Sequence, residues 1–124
     1  MKKLLKRFYE SLPLKLPIYK ILRRFIKLPK KLHAFFYFEG VFDTWIEYKS
    51  FKMKNYGYQF HVENELFWGG VKNGWEKEST NLWMKLCKNK SIILDIGANT
   101  GYYSLIAKTL LPKSEVFAFE PIPL

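Results

Sequence analysis

Hydrophobic and polar positions change period several times along this chain. Near the start, Leu4, Leu5 and Phe8, then Ile18, Ile21, Leu22 and Phe25, recur at three- and four-residue spacing. That is the pattern of helices carrying one apolar stripe. Pro17 to Lys27 reads as a helix opened by proline, with Lys20, Arg23, Arg24 and Lys27 elsewhere around it. Residues 34–48 are crowded with aromatic side chains, a use that core packing makes more often than stacking on a base or sugar. From 51 to 62 the pattern alternates: Phe51 and Met53 precede Asn55-Tyr56-Gly57, and Tyr58, Phe60 and Val62 follow. The alternation predicts a hairpin turning at the glycine, with His61 on the exposed phase and without a catalytic partner. Trp68-Gly69-Gly70 and Asn73-Gly74-Trp75 read as turns, and Trp75 as a loop anchor. Ser79 or Thr80 then caps a helix running to about Lys88, with Leu82, Trp83 and Leu86 turned inward.

The last third reads as strand, loop, helix, strand. Ile92, Ile93, Leu94 and Ile96 form a short branched run suited to a strand covered on both faces. Gly97 and Gly101 bracket Ala98-Asn99-Thr100, and Asn99 or Thr100 can cap a helix spanning Tyr102 to Leu110, which Pro112 ends. Val116 to Phe119 make a second apolar strand. Two parallel strands joined through a helix require a crossover, expected to be right-handed. Ligands of such sheets sit beyond the carboxyl ends of the strands. Asp95, the glycine loop and Glu120 all fall at that end.

Glu120 lies 23 residues after Gly97. A carboxylate about 20 residues past such a loop can accept hydrogen bonds from both hydroxyls of a ribose. Asp95 and Asn99 can orient the loop amides or a ligand's ammonium group. A dinucleotide loop requires glycine at three places, which here hold Gly97, Asn99 and Tyr102. Only the first fits, so pyrophosphate would meet side chains. S-adenosyl-L-methionine carries no phosphate. It needs a ribose acceptor, a tight loop beside its amino-acid tail, and a carboxylate or amide near its ammonium, all of which are present.

Asp95-Ile96-Gly97-Ala98-Asn99-Thr100-Gly101-Tyr102-Tyr103-Ser104, followed by Phe117-Ala118-Phe119-Glu120-Pro121, resembles the FkbM-type family of S-adenosylmethionine-dependent methyltransferases. Gly74-Trp75-Glu76-Lys77-Glu78 is similar to the aromatic–acidic stretch that often precedes the family's first strand. The likeness covers residues 74–121. It implies that Asp95, Gly97, Ala98, Asn99 and Gly101 line the methionine side of the cofactor. Glu120 would hold the ribose, and Glu76 would make a contact near the methionyl end. It also implies O-methylation of a hydroxyl on a sugar or another small or lipid-linked acceptor. The catalytic base is not assigned by the resemblance. A complete member needs five or so further strands, so the expected fold is α/β: an incomplete Rossmann-like class I methyltransferase fold, limited to its first β-α-β unit. A basic helical N-terminal extension and a small β-hairpin accompany it. The expected organisation is a basic amphipathic extension over 1–33, an aromatic-rich hairpin or cap region over 34–78, and the N-terminal part of a cofactor-binding domain over 79–124. The chain is accordingly read as an N-terminal fragment of the enzyme.

Charge adds a second theme. The net charge is +10, and residues 1–33 hold eleven of the 21 Lys and Arg but only one acid, Glu10. The remainder is electrically balanced, which argues against nucleic acid as a partner of the body of the protein. The basic segment suits an interfacial helix pair on an anionic membrane, or a helix packed on other parts of the enzyme with its lysines solvated; an RNA-binding arm is a third reading. Cys87 is the single cysteine, so no intrachain disulfide forms, as fits a reducing compartment. No Cys/His spacing suits zinc. No apolar run approaches the ~20 residues that span a bilayer, and the basic start lacks a signal-peptide core. The expected location is cytoplasmic, with possible peripheral attachment at the inner face of the membrane. Two other functions compete with methyl transfer: a nicotinamide-dependent oxidoreductase, and a non-catalytic remnant acting as a membrane or interaction module.

Overall fold

A computed structural model describes residues 14–57 and 61–122. The expected stripe of Leu4, Leu5 and Phe8, and the strand positions Tyr58 and Phe60, lie outside the described residues. The rest is a mixed α/β arrangement of four α-helices and two two-stranded sheets. In order they are α1 (Lys15–Phe25), a single 3-10 turn (Lys30–Leu32), β1 (Glu39–Ile46), β2 (Lys49–Tyr56), α2 (His61–Asn73), α3 (Lys77–Cys87), β3 (Ile92–Ile96), α4 (Tyr102–Leu110) and β4 (Glu115–Phe119).

Helix α1 begins two residues before Pro17. A proline is tolerated there because the first amides of a helix have no intrahelical acceptor. The aliphatic stripe is not the face that meets the rest of the described protein. Tyr19 is buried and Leu16 and Leu22 pack beside the core, whereas Ile18, Ile21 and Phe25 are exposed. Arg23 turns inward on the Tyr19 side. Its guanidinium lies 4.4 Å from the Phe67 ring centroid and donates to the carbonyls of Asp43 (3.2 Å) and Phe67 (3.4 Å). A cation with two carbonyl partners and an aromatic face can be buried where a bare one cannot.

The hairpin is formed earlier in the chain than the alternation suggested. Strands β1 and β2 pair antiparallel from Glu39↔Tyr56 to Ile46↔Lys49, so the turn is Glu47-Tyr48 and Asn55-Tyr56-Gly57 ends the second strand. The aromatic segment 34–48 therefore supplies a strand, whose Phe42 and Ile46 face the core. From His61 onward the chain is helical, so Val62 lies in a helix rather than in a return strand. His61 opens α2, and its side chain lies outside the described set. Trp68 and Gly69 sit within α2, and only Gly70 breaks it, as a kink at φ 66°. Phe38, Phe42, Phe67, Trp68 and Tyr19 interlock mostly edge to face, with centroids 4.5–6.2 Å apart. The same apolar cluster continues through Leu66 and Val71 to Tyr102 and Ile106 on α4. At the hairpin turn, Lys49 Nζ donates to the carbonyl of Leu110 at 2.9 Å, closing the C-terminal end of α4.

Helix α3 starts at Lys77, with Glu76 in a left-handed conformation before it and no side-chain cap. Thr80 is not a cap; it is fully buried within the helix. The inward residues are Thr80, Trp83, Met84 and Cys87, while Leu82 and Leu86 are exposed. Strands β3 and β4 are parallel, Ile92↔Glu115 to Ile96↔Phe119, with α4 between them in sequence. They are covered on one face only. Ile93 packs with Cys87 of α3, Ala107 of α4 and Val116, whereas Ile92, Leu94, Ile96, Phe117 and Phe119 are exposed.

Candidate functional site

The parallel register puts the carboxyl ends of β3 and β4 side by side, Ile96 opposite Phe119. The turn that follows β3 is fastened there. The carbonyl of Phe119 accepts from the amides of Gly97 (2.9 Å) and Ala98 (3.0 Å), and the Ala98 carbonyl accepts from Gly101 N–H (2.8 Å). Gly97 and Gly101 have φ of 79° and 73°, and a Cβ built on either meets nothing within 4 Å. Glycine is therefore required there by backbone conformation, and open space lies before both positions. Asn99 also takes positive φ, 48°, which asparagine tolerates better than most residues. The side chain of Asn99 is exposed and that of Ala98 is buried. Neither Asn99 nor Thr100 caps α4; Gly101 occupies that position without a side-chain cap.

Glu120 follows β4 directly and lies against this turn. Its Oε2 accepts from Asn99 N–H at 2.8 Å, and its Oε1 accepts from Ile122 N–H at 3.0 Å. A carboxylate has about four lone-pair positions, so two bonds leave room for further donors. The Glu120 side chain is exposed, so a ligand can reach it.

Asp95 is buried and its Oδ2 accepts from Ser104 Oγ at 2.6 Å. In the structure it ties β3 to the first turn of α4, a bond neither to the loop amides nor to open solvent. Glu76 reaches the same turn of α4 from the other side. Its Oε2 accepts from Tyr103 O–H at 2.8 Å. Trp83 Nε1 donates to the Tyr103 carbonyl at 2.9 Å, and Thr80 and Tyr102 share a hydroxyl contact of 3.2 Å. Burial first, and then the Glu76 carboxylate, push the Tyr103 hydroxyl up to about 12. Burial likewise raises Tyr102, and burial with the Asp95 charge raises the Cys87 thiol. The seven residues expected at the site thus gather about one turn: Gly97, Ala98, Asn99 and Gly101 form it, Asp95 precedes it on β3, Glu120 is bonded to it, and Glu76 is held by Tyr103, two residues beyond it.

A cavity of about 500 Å³ adjoins the turn on the hairpin side. Asn99 and Thr100 form one wall, Met53 and Asn55 of β2 another, and Val62 and Glu63 of α2 a third. Small-molecule sites fall in the same range of volume, roughly 300–1,000 Å³. Glu63 is buried, and that burial raises its carboxyl above the ordinary value of 4.5. Asn55 Nδ2 donates to Asn64 Oδ1 at 2.7 Å, which sets the floor of hairpin against helix. Sequence reasoning missed Glu63. Its run Glu63-Asn64-Glu65 has the composition of a solvated helix face, yet all three are buried. The tertiary packing of α2 on the hairpin is the only signal for them. Among the described residues no group of three or more His, Cys, Asp or Glu could hold a metal ion.

No protein-family model matches the chain, and neither a curated protein nor a solved structure matches it.

Proposed function

We propose that this chain holds S-adenosyl-L-methionine at the Gly97–Gly101 turn and belongs to a methyltransferase of the type its loop resembles, with a Rossmann-like arrangement about β3 and β4. The observation that carries the reading is the 2.8 Å bond between Glu120 and the Asn99 amide at the shared carboxyl edge of two parallel strands. It brings an exposed carboxylate, able to accept from ribose hydroxyls, and an open glycine turn to one place. The charge beside the turn itself favours the same ligand, while Lys52 and Lys54 of β2 line the hairpin side of the adjoining cavity. Asp95, Glu76 and Glu120 are acidic, and no Lys or Arg occurs from Asp95 to Ala107. A cationic sulfonium and ammonium suit such a site. A dianionic pyrophosphate does not, and the Asn99 amide that it would need already donates to Glu120.

Glu120 would accept from the ribose hydroxyls, the bare backbone of Gly97 and Gly101 would admit the amino-acid tail, and Asn99 would meet its polar end. When bound, the cofactor supplies an electrophilic methyl carbon on sulfur. The chain's own part is alignment and proton handling. The acceptor, a hydroxyl of a sugar or another small molecule, would enter the cavity between β2, α2 and Thr100. Glu63, with a carboxyl already raised by burial, would take the hydroxyl proton there.

Titration calorimetry with S-adenosylmethionine, S-adenosylhomocysteine and NAD tests the proposal. The expected result is binding of the two adenosyl ligands and not of NAD. Glu120→Ala is expected to weaken that binding roughly ten- to hundredfold, the value of one or two hydrogen bonds to a charged acceptor. Binding of NAD alone overturns the methyltransferase reading. Binding of none of the three is the behaviour of a non-catalytic interaction module.

A further inference from the structure

Helix α1 exposes its most apolar side. At 100° per residue, Leu14, Ile18, Ile21 and Phe25 fall within a sector of about 60°. They are 69, 51, 58 and 82% exposed. The diametrically opposite sector, Leu16, Tyr19 and Arg23, is the one that meets the core. A surface helix ordinarily does the reverse. Among the described residues nothing covers the aliphatic stripe, because the Tyr19 ring and the Arg23 guanidinium hold the helix by its other side. Ile26, just past the helix, is also exposed.

The charges around the stripe identify what would cover it. From Ser11 to Phe38 the sequence has seven Lys or Arg and no acid. Arg23 is turned inward and Lys30 pairs with Glu65 at 3.1 Å, but Arg24 on the helix, Lys27 two residues past it and Lys31 in the 3-10 turn are exposed. A second copy docking stripe to stripe would bring two such cationic fields together, a repulsion that opposes association. An anionic, laterally continuous apolar phase satisfies both features: the stripe enters the acyl boundary and the basic side chains reach the headgroups. None of the described helices is long and apolar enough to cross a membrane.

We propose that α1 lies in the interface of an anionic lipid bilayer, with Leu14, Ile18, Ile21 and Phe25 inserted and Arg24, Lys27 and Lys31 among the headgroups. The proposal does not depend on cofactor binding. It would place the cofactor turn on a protein held at a membrane surface.

Co-sedimentation of the full chain with vesicles of equimolar phosphatidylglycerol and phosphatidylcholine, and with phosphatidylcholine alone, tests it. Strong binding is expected only to the anionic vesicles. Ile21→Glu with Phe25→Glu is expected to weaken it tenfold or more, roughly the value of removing two inserted apolar side chains. Both sites face solvent, so the far-ultraviolet circular dichroism and the melting temperature should match the parent. Arg24→Gln with Lys27→Gln is expected to reduce affinity on the order of tenfold or more at low salt. As a second measurement, Ile18→Cys labelled with an environment-sensitive fluorophore should shift to the blue on anionic vesicles. Unchanged binding by the double Glu variant, or no spectral shift, overturns the proposal. So does a parent oligomer that the double Glu variant converts to monomer, since that outcome assigns the stripe to self-association. Charge-dependent binding to nucleic acid that the double Glu variant abolishes, with no vesicle binding, also overturns it.

Discussion

Glu63 and Tyr103 are the two side chains whose ionisation the fold perturbs most usefully for experiment. Burial raises the Glu63 carboxyl, so the folded protein favours its neutral form. A raised acid contributes stability below its unfolded value of 4.5, and that contribution is lost as pH rises through the folded value. Glu63→Gln, neutral at every pH, should therefore raise the melting temperature at pH 7, and the gain should shrink as pH falls through the raised folded value and be gone below 4.5. Thermal melts across that range check it; a gain independent of pH would mean that the effect is not ionisation. Tyr103 works in the alkaline range. Its hydroxyl loses its proton only near 12, through burial and the Glu76 bond, so the associated stability is intact below 10 and is lost as pH rises through about 12. Glu76→Gln should bring the tyrosinate absorbance of one tyrosine to lower pH, though not fully to 10, because burial is the larger cause and remains. If the titration is unmoved, Glu76 does not hold Tyr103 in solution.

At the level of elements, the parts legible in sequence were those whose own periodicity decided them. Helix Tyr102–Leu110 and the two strands flanking it stand where the pattern put them, because glycine, proline and branched runs punctuate that stretch. The hairpin was displaced because its first strand does not alternate in sequence, with Val41 and Trp45 exposed beside buried Phe42 and Ile46, and nothing at Glu47-Tyr48 marks a turn chemically: Glu47 takes φ 53° without glycine. The inward face of α3 was read as Leu82, Trp83 and Leu86, of which packing kept only Trp83, adding Thr80 and Cys87, and on α1 packing chose Tyr19 with Arg23 rather than the aliphatic stripe. Such choices follow from partners distant in sequence, Phe67 and Tyr102 among them, and no local pattern contains them. The site shows the same division. Gly97, Ala98, Asn99 and Gly101 lie in one turn with Asp95 on the strand before it, and spacing alone drew attention to Glu120, which bonds that turn, but the Asp95–Ser104 bond and Glu63 needed the packed structure. The fastening of hairpin to α4 can be tested directly. Lys49→Met keeps most of the aliphatic stem while removing the donor to Leu110, and should cost about 0.5–1.5 kcal/mol in urea unfolding. Phe42→Ala, at the centre of the aromatic cluster, should cost about 3–5 kcal/mol and marks the scale of the core itself.

For the whole molecule, the decisive asymmetry is between the two faces of the β3–β4 sheet. One face packs on α3 and α4 through Ile93, Cys87 and Ala107; the other presents Ile92, Leu94, Ile96, Phe117 and Phe119 at 45–75% exposure. Five large apolar side chains on adjacent parallel strands make a continuous patch of the kind that drives association or binds other apolar surface. Strand order adds to it, because each of these strands has one neighbour in the sheet and one open edge. The isolated chain should therefore bind anilinonaphthalene sulfonate and scatter light increasingly with concentration. Leu94 and Phe117 are register partners on the bare face. Replacing them together, Leu94→Glu with Phe117→Lys, would set opposite charges side by side without touching the covered face or the glycine turn. Dye binding and scattering should both fall, while the melting temperature stays near that of the parent because neither side chain is in the core. The α1 variants that remove Ile21 and Phe25 should leave the scattering largely unchanged, which separates a lipid-facing helix from a self-associating sheet. If instead the sheet variant scatters as the parent does, the source of association is the α1 stripe, and the bare sheet face is inert in solution.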